Sequence, residues 1–123
     1  MTSITMMEIK TDDYQVWCDK QEENTVVVNC AGSLRLGGME EYQPIVQLLN
    51  ESIEADPETA VLDLTQLEFL NSSGISMLSK FVIRVRHKKS IQMVVKGSKK
   101  IPWQGKSLKN LQRLMPSLTL EWE

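Results

Sequence analysis

The sequence is poor in the residues that carry most enzyme chemistry. Its 123 residues include one histidine, His87, and two cysteines, Cys18 and Cys30. A lone histidine excludes multi-histidine metal sites, and two cysteines with no histidine nearby do not make a zinc site. His87 lies in a basic run that is typical of the solvated end of a helix, where positive charge suits the helix dipole. We therefore predict a protein that is not an enzyme and that binds no metal or cofactor.

Long apolar runs are also missing. No stretch approaches the ~20 apolar residues that a membrane-spanning helix needs. The opening MTSITMMEIKTDD has neither the basic nor the apolar region of a secretory signal. Two free thiols are typical of a reducing compartment. These features predict a cytoplasmic protein without membrane contact.

Acidic residues are almost absent from the second half of the chain. Residues 1–68 hold 14 acids and three bases, whereas residues 69–123 hold 11 bases and two acids. Such a run can simply solvate helix faces, or it can form a basic surface for an anionic partner. Because the first half is acidic, we expect no nucleic-acid binding. An acidic protein partner stays open.

Apolar periodicity predicts alternating strands and helices. It indicates strands at 14–18, 25–31, 60–64, 90–95 and 118–122, a turn at 20–24, and helices at 39–55, from 75 onwards and at 107–115. Helices between strands imply parallel crossovers, and the first two strands form a hairpin. The predicted fold is α/β: one domain over 12–123, with a mixed, mostly parallel sheet of four to five strands and about three helices. We predict that residues 1–11 form a flexible N-terminal end.

One segment resembles a nucleotide site but fails the test of spacing. Gly105-Lys106-Ser107 precedes a helix, yet a phosphate loop needs glycine at position 100, which is Lys100.

Asp63 ends a predicted strand, where open α/β sheets place ligand groups. Without a second carboxylate on that edge, we do not predict that Asp63 is catalytic.

The segment Asn71-Ser72-Ser73-Gly74 is the most informative part of the chain. Asn and Ser are good helix caps, so the run marks a strand-to-helix turn. A serine hydroxyl at a helix N-terminus also faces unpaired N–H groups, and a phosphate there is locally accommodated. We expect Gly74 to leave the approach to that hydroxyl uncrowded. The segment is therefore either a structural cap or a modification site.

At these residues the sequence resembles the STAS domain, the fold of bacterial anti-sigma-factor antagonists. The family pattern is a strand ending in Asp-Leu, an aromatic-apolar pair, and Asp-Ser-Ser/Thr-Gly opening a helix. Here it reads Val61-Leu62-Asp63-Leu64, Phe69-Leu70 and Asn71-Ser72-Ser73-Gly74. The resemblance covers about residues 12–122. It departs from the pattern at Asn71, which keeps the shape of Asp without its charge.

The resemblance implies a phosphorylatable switch in a partner-switching circuit. A serine/threonine kinase with a histidine-kinase-like ATPase fold would modify the serine before the glycine, and a PP2C-type phosphatase would reverse this. Ser73 is then the acceptor and Ser72 the alternative, with Asp63, Asn71 and Gly74 as their environment. The unmodified form would bind the kinase, an anti-sigma-type protein or another downstream target.

Two surfaces are predicted to contact partners. Ser76, Lys80 and Arg84 repeat at a spacing of four, as one stripe of the helix after Gly74. The basic segment that follows adds Lys99, Lys100, Trp103 and Lys106, although Trp103 can equally pack over the end of the sheet. In the alternative function, this basic half recruits an acidic partner constitutively and Ser73 is only a cap. The sequence does not indicate the oligomeric state.

Overall fold

The computed structural model describes residues 4–21 and 24–123, without the side chains of residues 4–6. Part of the predicted turn at 20–24 therefore lies outside the described residues, as do residues 1–3 of the predicted loose end. The elements in chain order are β1 Ile4–Lys10, β2 Tyr14–Gln21, β3 Thr25–Leu34, α1 Met39–Ser52, β4 Thr59–Leu70, α2 Ser72–Lys88, β5 Gln92–Gly97, α3 Gln104–Leu114 and β6 Thr119–Trp122.

The strands form one mixed sheet with the spatial order β1-β2-β3-β4-β5-β6. β1, β2 and β3 pair antiparallel, and β3, β4, β5 and β6 pair parallel. The α/β class, the hairpin and the helical crossovers are confirmed. The sheet has six strands in the described residues, one more than the upper predicted number.

The additional strand is β1, so the prediction of a loose end is wrong for residues 4–10. β1 pairs with β2 along its length. Its Met7 and Ile9 are half-buried against the core, whereas Glu8 between them is exposed to solvent on the other face. This alternation spans only four residues beside polar sequence, which is too short to be distinguished by periodicity.

All three helices pack on one face of the sheet. Alternate side chains of β2, β3, β4 and β5 are buried in a single core with the apolar stripes of the helices. α2 lies between α1 and α3, because it contacts both of them. The opposite sheet face carries half-buried side chains such as Trp17, Val27 and Val61. The domain therefore has two layers, a sheet and a helix layer. The one hydrophobic core found in the described residues lies between them.

The start of α1 and the start of α2 lie next to each other. β4 continues to Leu70, well beyond the predicted end at residue 64. It pairs with β3 up to the Leu34–Leu70 pair, so the two strands end side by side. Helices that follow adjacent parallel strands begin at the same sheet edge. This register brings residues 35–42 to the segment 71–74.

Candidate phosphorylation site at the start of α2

Asn71 is the N-cap of α2 and makes three side-chain hydrogen bonds. Its Oδ1 accepts from the backbone N of Gly74 at 2.9 Å and from the hydroxyl of Tyr42 at 2.8 Å. Its Nδ2 donates to the carbonyl O of Leu36 at 2.8 Å. One amide side chain therefore fixes the first turn of α2, the loop before α1, and α1 itself.

These contacts explain why an amide occupies the position of the family's Asp. The carbonyl oxygen of Leu36 accepts a hydrogen bond from Asn71, which an ionised carboxylate could not donate. Asn71 provides that donor and still accepts two hydrogen bonds at Oδ1. The departure from the family pattern is therefore matched by a contact within this chain.

Tyr42 connects α1 to this cap from inside the core. Its side chain is fully buried, and burial raises the pKa of its hydroxyl above the ordinary value. The hydroxyl thus stays protonated at neutral pH and donates to Asn71. Losing this partner would leave the buried hydroxyl without its acceptor, which is costly.

Gly74 is required for packing, not for access to a serine. It is buried, and a Cβ at this position would overlap Leu70 Cδ1 and lie 2.8 Å from the hydroxyl oxygen of Tyr42. The expectation that Gly74 leaves the approach to the hydroxyl uncrowded is wrong, because its missing side chain faces inward. The glycine allows α2 to sit closely on Leu70 and Tyr42.

Ser72 and Ser73 are the first two residues of α2, and their hydroxyls are not used by the fold. Ser72 is exposed and Ser73 is half-buried. Within residues 4–21 and 24–123, neither hydroxyl takes part in a hydrogen bond. Because Asn71 caps the helix, the helix start does not depend on either hydroxyl. The first turn also contains no acidic residue that would oppose an added phosphate.

Asp63 does not belong to this site. It lies in the middle of β4, and its Oδ1 accepts from the backbone N and the hydroxyl of Thr65 at 3.0 and 2.6 Å. Leu70 lies seven positions further along β4, which is about 23 Å on an extended strand. The prediction that Asp63 helps form the environment of the phosphosite is therefore wrong, because β4 is longer than predicted. Asp63 instead ties down its own strand.

Arg35 and Phe69 lie at the same sheet edge and were not predicted as functional residues. The Arg35 guanidinium stacks over the Phe69 ring at 4.4 Å from its centroid. Phe69 is 39% exposed, and among the described residues it is the one large apolar side chain that is in contact with solvent to this extent. Arg35 is also the only base between Lys20 and Lys80, which is the sequence signal that could have drawn attention to it.

The predicted partner-binding residues fall into two separate groups. Ser76, Lys80 and Arg84 are exposed on α2, while Lys99, Lys100 and Lys106 are exposed around the start of α3. Trp103 is half-buried, and its Nε1 donates to the carbonyl O of Glu68 at 2.9 Å. Trp103 therefore packs over the end of β4, as the packing alternative predicts.

The two cysteines are buried, and the single histidine lies far from the start of α2. Burial raises the pKa of the Cys18 thiol to about 11 and that of the Cys30 thiol to about 12, so both stay protonated at neutral pH. His87 is exposed near the end of α2, 14 residues after Ser73, which is about 21 Å along a helix. In the described part of the chain, no His, Cys, Asp and Glu side chains cluster as metal ligands would.

No helix among the described residues is both long and apolar enough to cross a membrane.

Comparison with known proteins identifies the fold family. The model of the STAS domain family matches residues 12–104. No curated protein matches the chain in sequence. Among solved structures, an anti-sigma factor antagonist from Mycobacterium paratuberculosis superposes with a TM-score of 0.65 and 20% identity, covering 89% of this chain and 88% of that chain.

Two further structures share the fold. The Bacillus cell fate determinant SpoIIAA in its phosphorylated form gives a TM-score of 0.59 and 15% identity over 85% of this chain and 89% of that chain. SiaC of Pseudomonas aeruginosa gives 0.66 and 12% identity over 100% of this chain and 98% of that chain. At these identities, the likeness shows a common fold.

Proposed function

Because the chain belongs to the STAS domain family, we propose that it is a phosphorylation-controlled switch protein of a partner-switching circuit. In this proposal Ser73 is the phosphoacceptor, and the unphosphorylated form binds a cognate serine kinase, an anti-sigma-type protein or another downstream target. A PP2C-type phosphatase restores the binding form. The protein itself catalyses no reaction, and it works in the cytoplasm of a bacterium.

The observation that carries the proposal is that Asn71, not a serine, caps α2. If Ser73 capped the helix, phosphorylation would remove a stabilising contact. Its hydroxyl instead makes no hydrogen bond within the described ranges, and the residue is half-buried, not enclosed in the core. A phosphate can therefore be added without removing a contact that the helix needs.

The physical basis of the switch is the different cost of a phosphate in the free and bound protein. In the free protein, a phosphate on the second residue of α2 lies near unpaired N–H groups and the positive end of the helix dipole. Under a docked partner, the same dianion loses solvent, and an unpaired buried charge costs several kcal/mol. Phosphorylation would therefore weaken docking without unfolding the domain.

The test measures modification and binding on the same set of variants. Intact mass of the protein from its native cell, with and without phosphatase, should reveal a phosphate, and fragmentation should place it on Ser73. Ser73→Asp should weaken binding of the partner by about tenfold or more, whereas Ser73→Ala should bind like the wild type. Ser72→Asp tests the alternative acceptor, and it should bind like the wild type if Ser73 is the site. Equal affinity for Ser73→Asp and Ser73→Ala would contradict the switch.

The alternative function is a constitutive module that binds an acidic partner through Lys99, Lys100 and Lys106. The supporting observation is that these three bases are exposed and have no carboxylate partner among the described residues. Reversing their charges should then abolish binding, and Ser73→Asp should have little effect. Binding should also weaken steeply with salt, because exposed charges are screened within ~8–10 Å. An affinity that is independent of salt would exclude this function.

A further inference from the structure

A groove of about 150 Å³ lies between α1 and α2, on the outer side of the helix layer. Half-buried Met39 and Val46 from α1 and buried Met77 from α2 provide its apolar surface. Lys80 and Arg84 line its α2 wall. No carboxylate lines the groove, although α1 carries several acids on its other faces.

The proposed phosphoacceptor, Ser73, lies one helical turn before the groove on the same side of α2. Ser73, Met77, Lys80 and Arg84 follow one another at intervals of four, three and four residues, so they form one stripe along α2. Ser73 is the first residue of that stripe, one helical turn before Met77. A phosphate on Ser73 would therefore stand at one end of the groove.

The size of the groove indicates a protein partner. Pockets that hold small-molecule ligands usually measure ~300–1,000 Å³. A volume of about 150 Å³ is too small for such a ligand but suits one apolar side chain of a docked protein. Anchor side chains that fill small pockets carry much of the affinity of protein interfaces.

The charges of the groove indicate which partner fits. Lys80 and Arg84 are exposed, one turn apart, and neither forms an ion pair within the described ranges. The opposite wall adds only neutral side chains, so nothing within the groove balances the two cations. A partner with two carboxylates one turn apart would complement them.

We propose that the α1–α2 groove receives an acidic amphipathic helix of the partner protein. One apolar residue of that helix enters the groove beside Val46, and carboxylates spaced three or four residues apart pair with Lys80 and Arg84. This assignment rests on the proposed function, because phosphate on Ser73 would repel those carboxylates from the same groove. It names the docking surface and the chemistry of the segment that docks.

The first test selects ligands without knowledge of the partner. A displayed library of helical peptides is selected on the wild-type protein, with counter-selection on Val46→Trp, which fills the groove. Peptides that depend on the groove should carry an apolar residue flanked by acids at spacing three or four. Groove-dependent peptides that are neutral or basic would overturn the proposal, and so would the absence of any groove-dependent peptide.

The second test uses the partner that binds the unphosphorylated protein. The double variant Lys80→Glu/Arg84→Glu should weaken binding by about tenfold or more. The control is Lys109→Glu/Arg113→Glu on α3, which reverses two exposed bases and gives the same net charge. It should change the affinity by less than about threefold. Equal weakening in both double variants would indicate non-specific attraction and refute the groove. Unfolding midpoints of all four proteins, including Val46→Trp, establish that the variants are folded.

The two proposals can fail independently. If Ser73→Asp weakens binding but the Lys80/Arg84 reversal does not, the switch stands and the partner docks elsewhere. If the reversal weakens binding but Ser73→Asp does not, the groove is the docking surface and the phosphorylation switch is wrong.

Discussion

The inner and outer sides of the first turn of α2 differ sharply. On the inner side, Asn71 makes three side-chain hydrogen bonds, and Gly74 is pressed against Leu70 and Tyr42. On the outer side, the hydroxyls of Ser72 and Ser73 form no hydrogen bond with any part of the chain that the structure describes. The contacts that hold this turn are thus made by Asn71 and Gly74, and they do not use the hydroxyls of Ser72 and Ser73.

This division shows how a helix start can hold a modification site without risk to the fold. If one serine both capped the helix and accepted phosphate, modification would remove the cap, which contributes about 1 kcal/mol. Here the cap belongs to Asn71. Substitutions on the inner side should therefore reduce stability, whereas substitutions on the outer side should alter binding and change stability only slightly.

The largest loss of stability is expected for Asn71→Ala. It removes the cap of α2 and leaves the buried Tyr42 hydroxyl without its acceptor, together about 3 kcal/mol. Asn71→Asp should lose less, because a carboxylate keeps both acceptor contacts but repels the Leu36 carbonyl. Urea unfolding measures both changes. The exposed Asn110→Ala is the control, and a loss at Asn110 as large as that at Asn71 would contradict the role of the cap.

Gly74→Ala should lower the free energy of unfolding by about 2 kcal/mol, because overpacking outweighs the better helix propensity of alanine. The matched control is Gly105→Ala in α3, where a Cβ has no heavy atom within 4 Å. That variant should gain about 0.5 kcal/mol. Thermal unfolding of the two variants measures both changes in stability. If both variants gain or both lose stability, close packing at Gly74 does not explain the effect of Gly74→Ala.

Tyr42→Phe should cost about 1 kcal/mol, because Asn71 Oδ1 loses one of two donors while the ring keeps its packing. Tyr14→Phe is the control, since no hydrogen bond from the Tyr14 hydroxyl occurs within the described ranges. Chemical denaturation should separate the two variants. Equal stability of Tyr42→Phe and the wild type would mean that the link between α1 and the cap contributes nothing.

The smallest effect on stability is expected for Ser73→Asp. A carboxylate in the first turn of α2 interacts favourably with the helix dipole and should raise stability by about 0.5 kcal/mol at low salt. Ser76→Asp, beyond the first turn, should be neutral. Melting temperatures at low and high salt measure both variants. Marked destabilisation by Ser73→Asp would show that the outer side is also structural.

The sequence predicted most of the fold and the start of α2, where the candidate site lies. Periodicity identified the hairpin, five of the strands and all three helices, and the Asn71–Gly74 segment indicated the start of α2. It did not reveal β1, whose alternation is short, or the full length of β4, which moves Asp63 away from the site. Phe69 and Arg35 were missed as a pair because they are 34 residues apart in the sequence and meet only through strand pairing.

The sequence by itself determined the class of fold and the presence of a serine pair at a helix start, because periodicity and capping are local properties of the chain. Only the tertiary structure decided which residue caps that helix and which surface lies beside the serine. Asn71 reaches Tyr42 and Leu36 across 29 and 35 residues, and these contacts exist because β3 and β4 end side by side. Hydrogen bonds between distant segments depend on how strands pair, which no local pattern encodes.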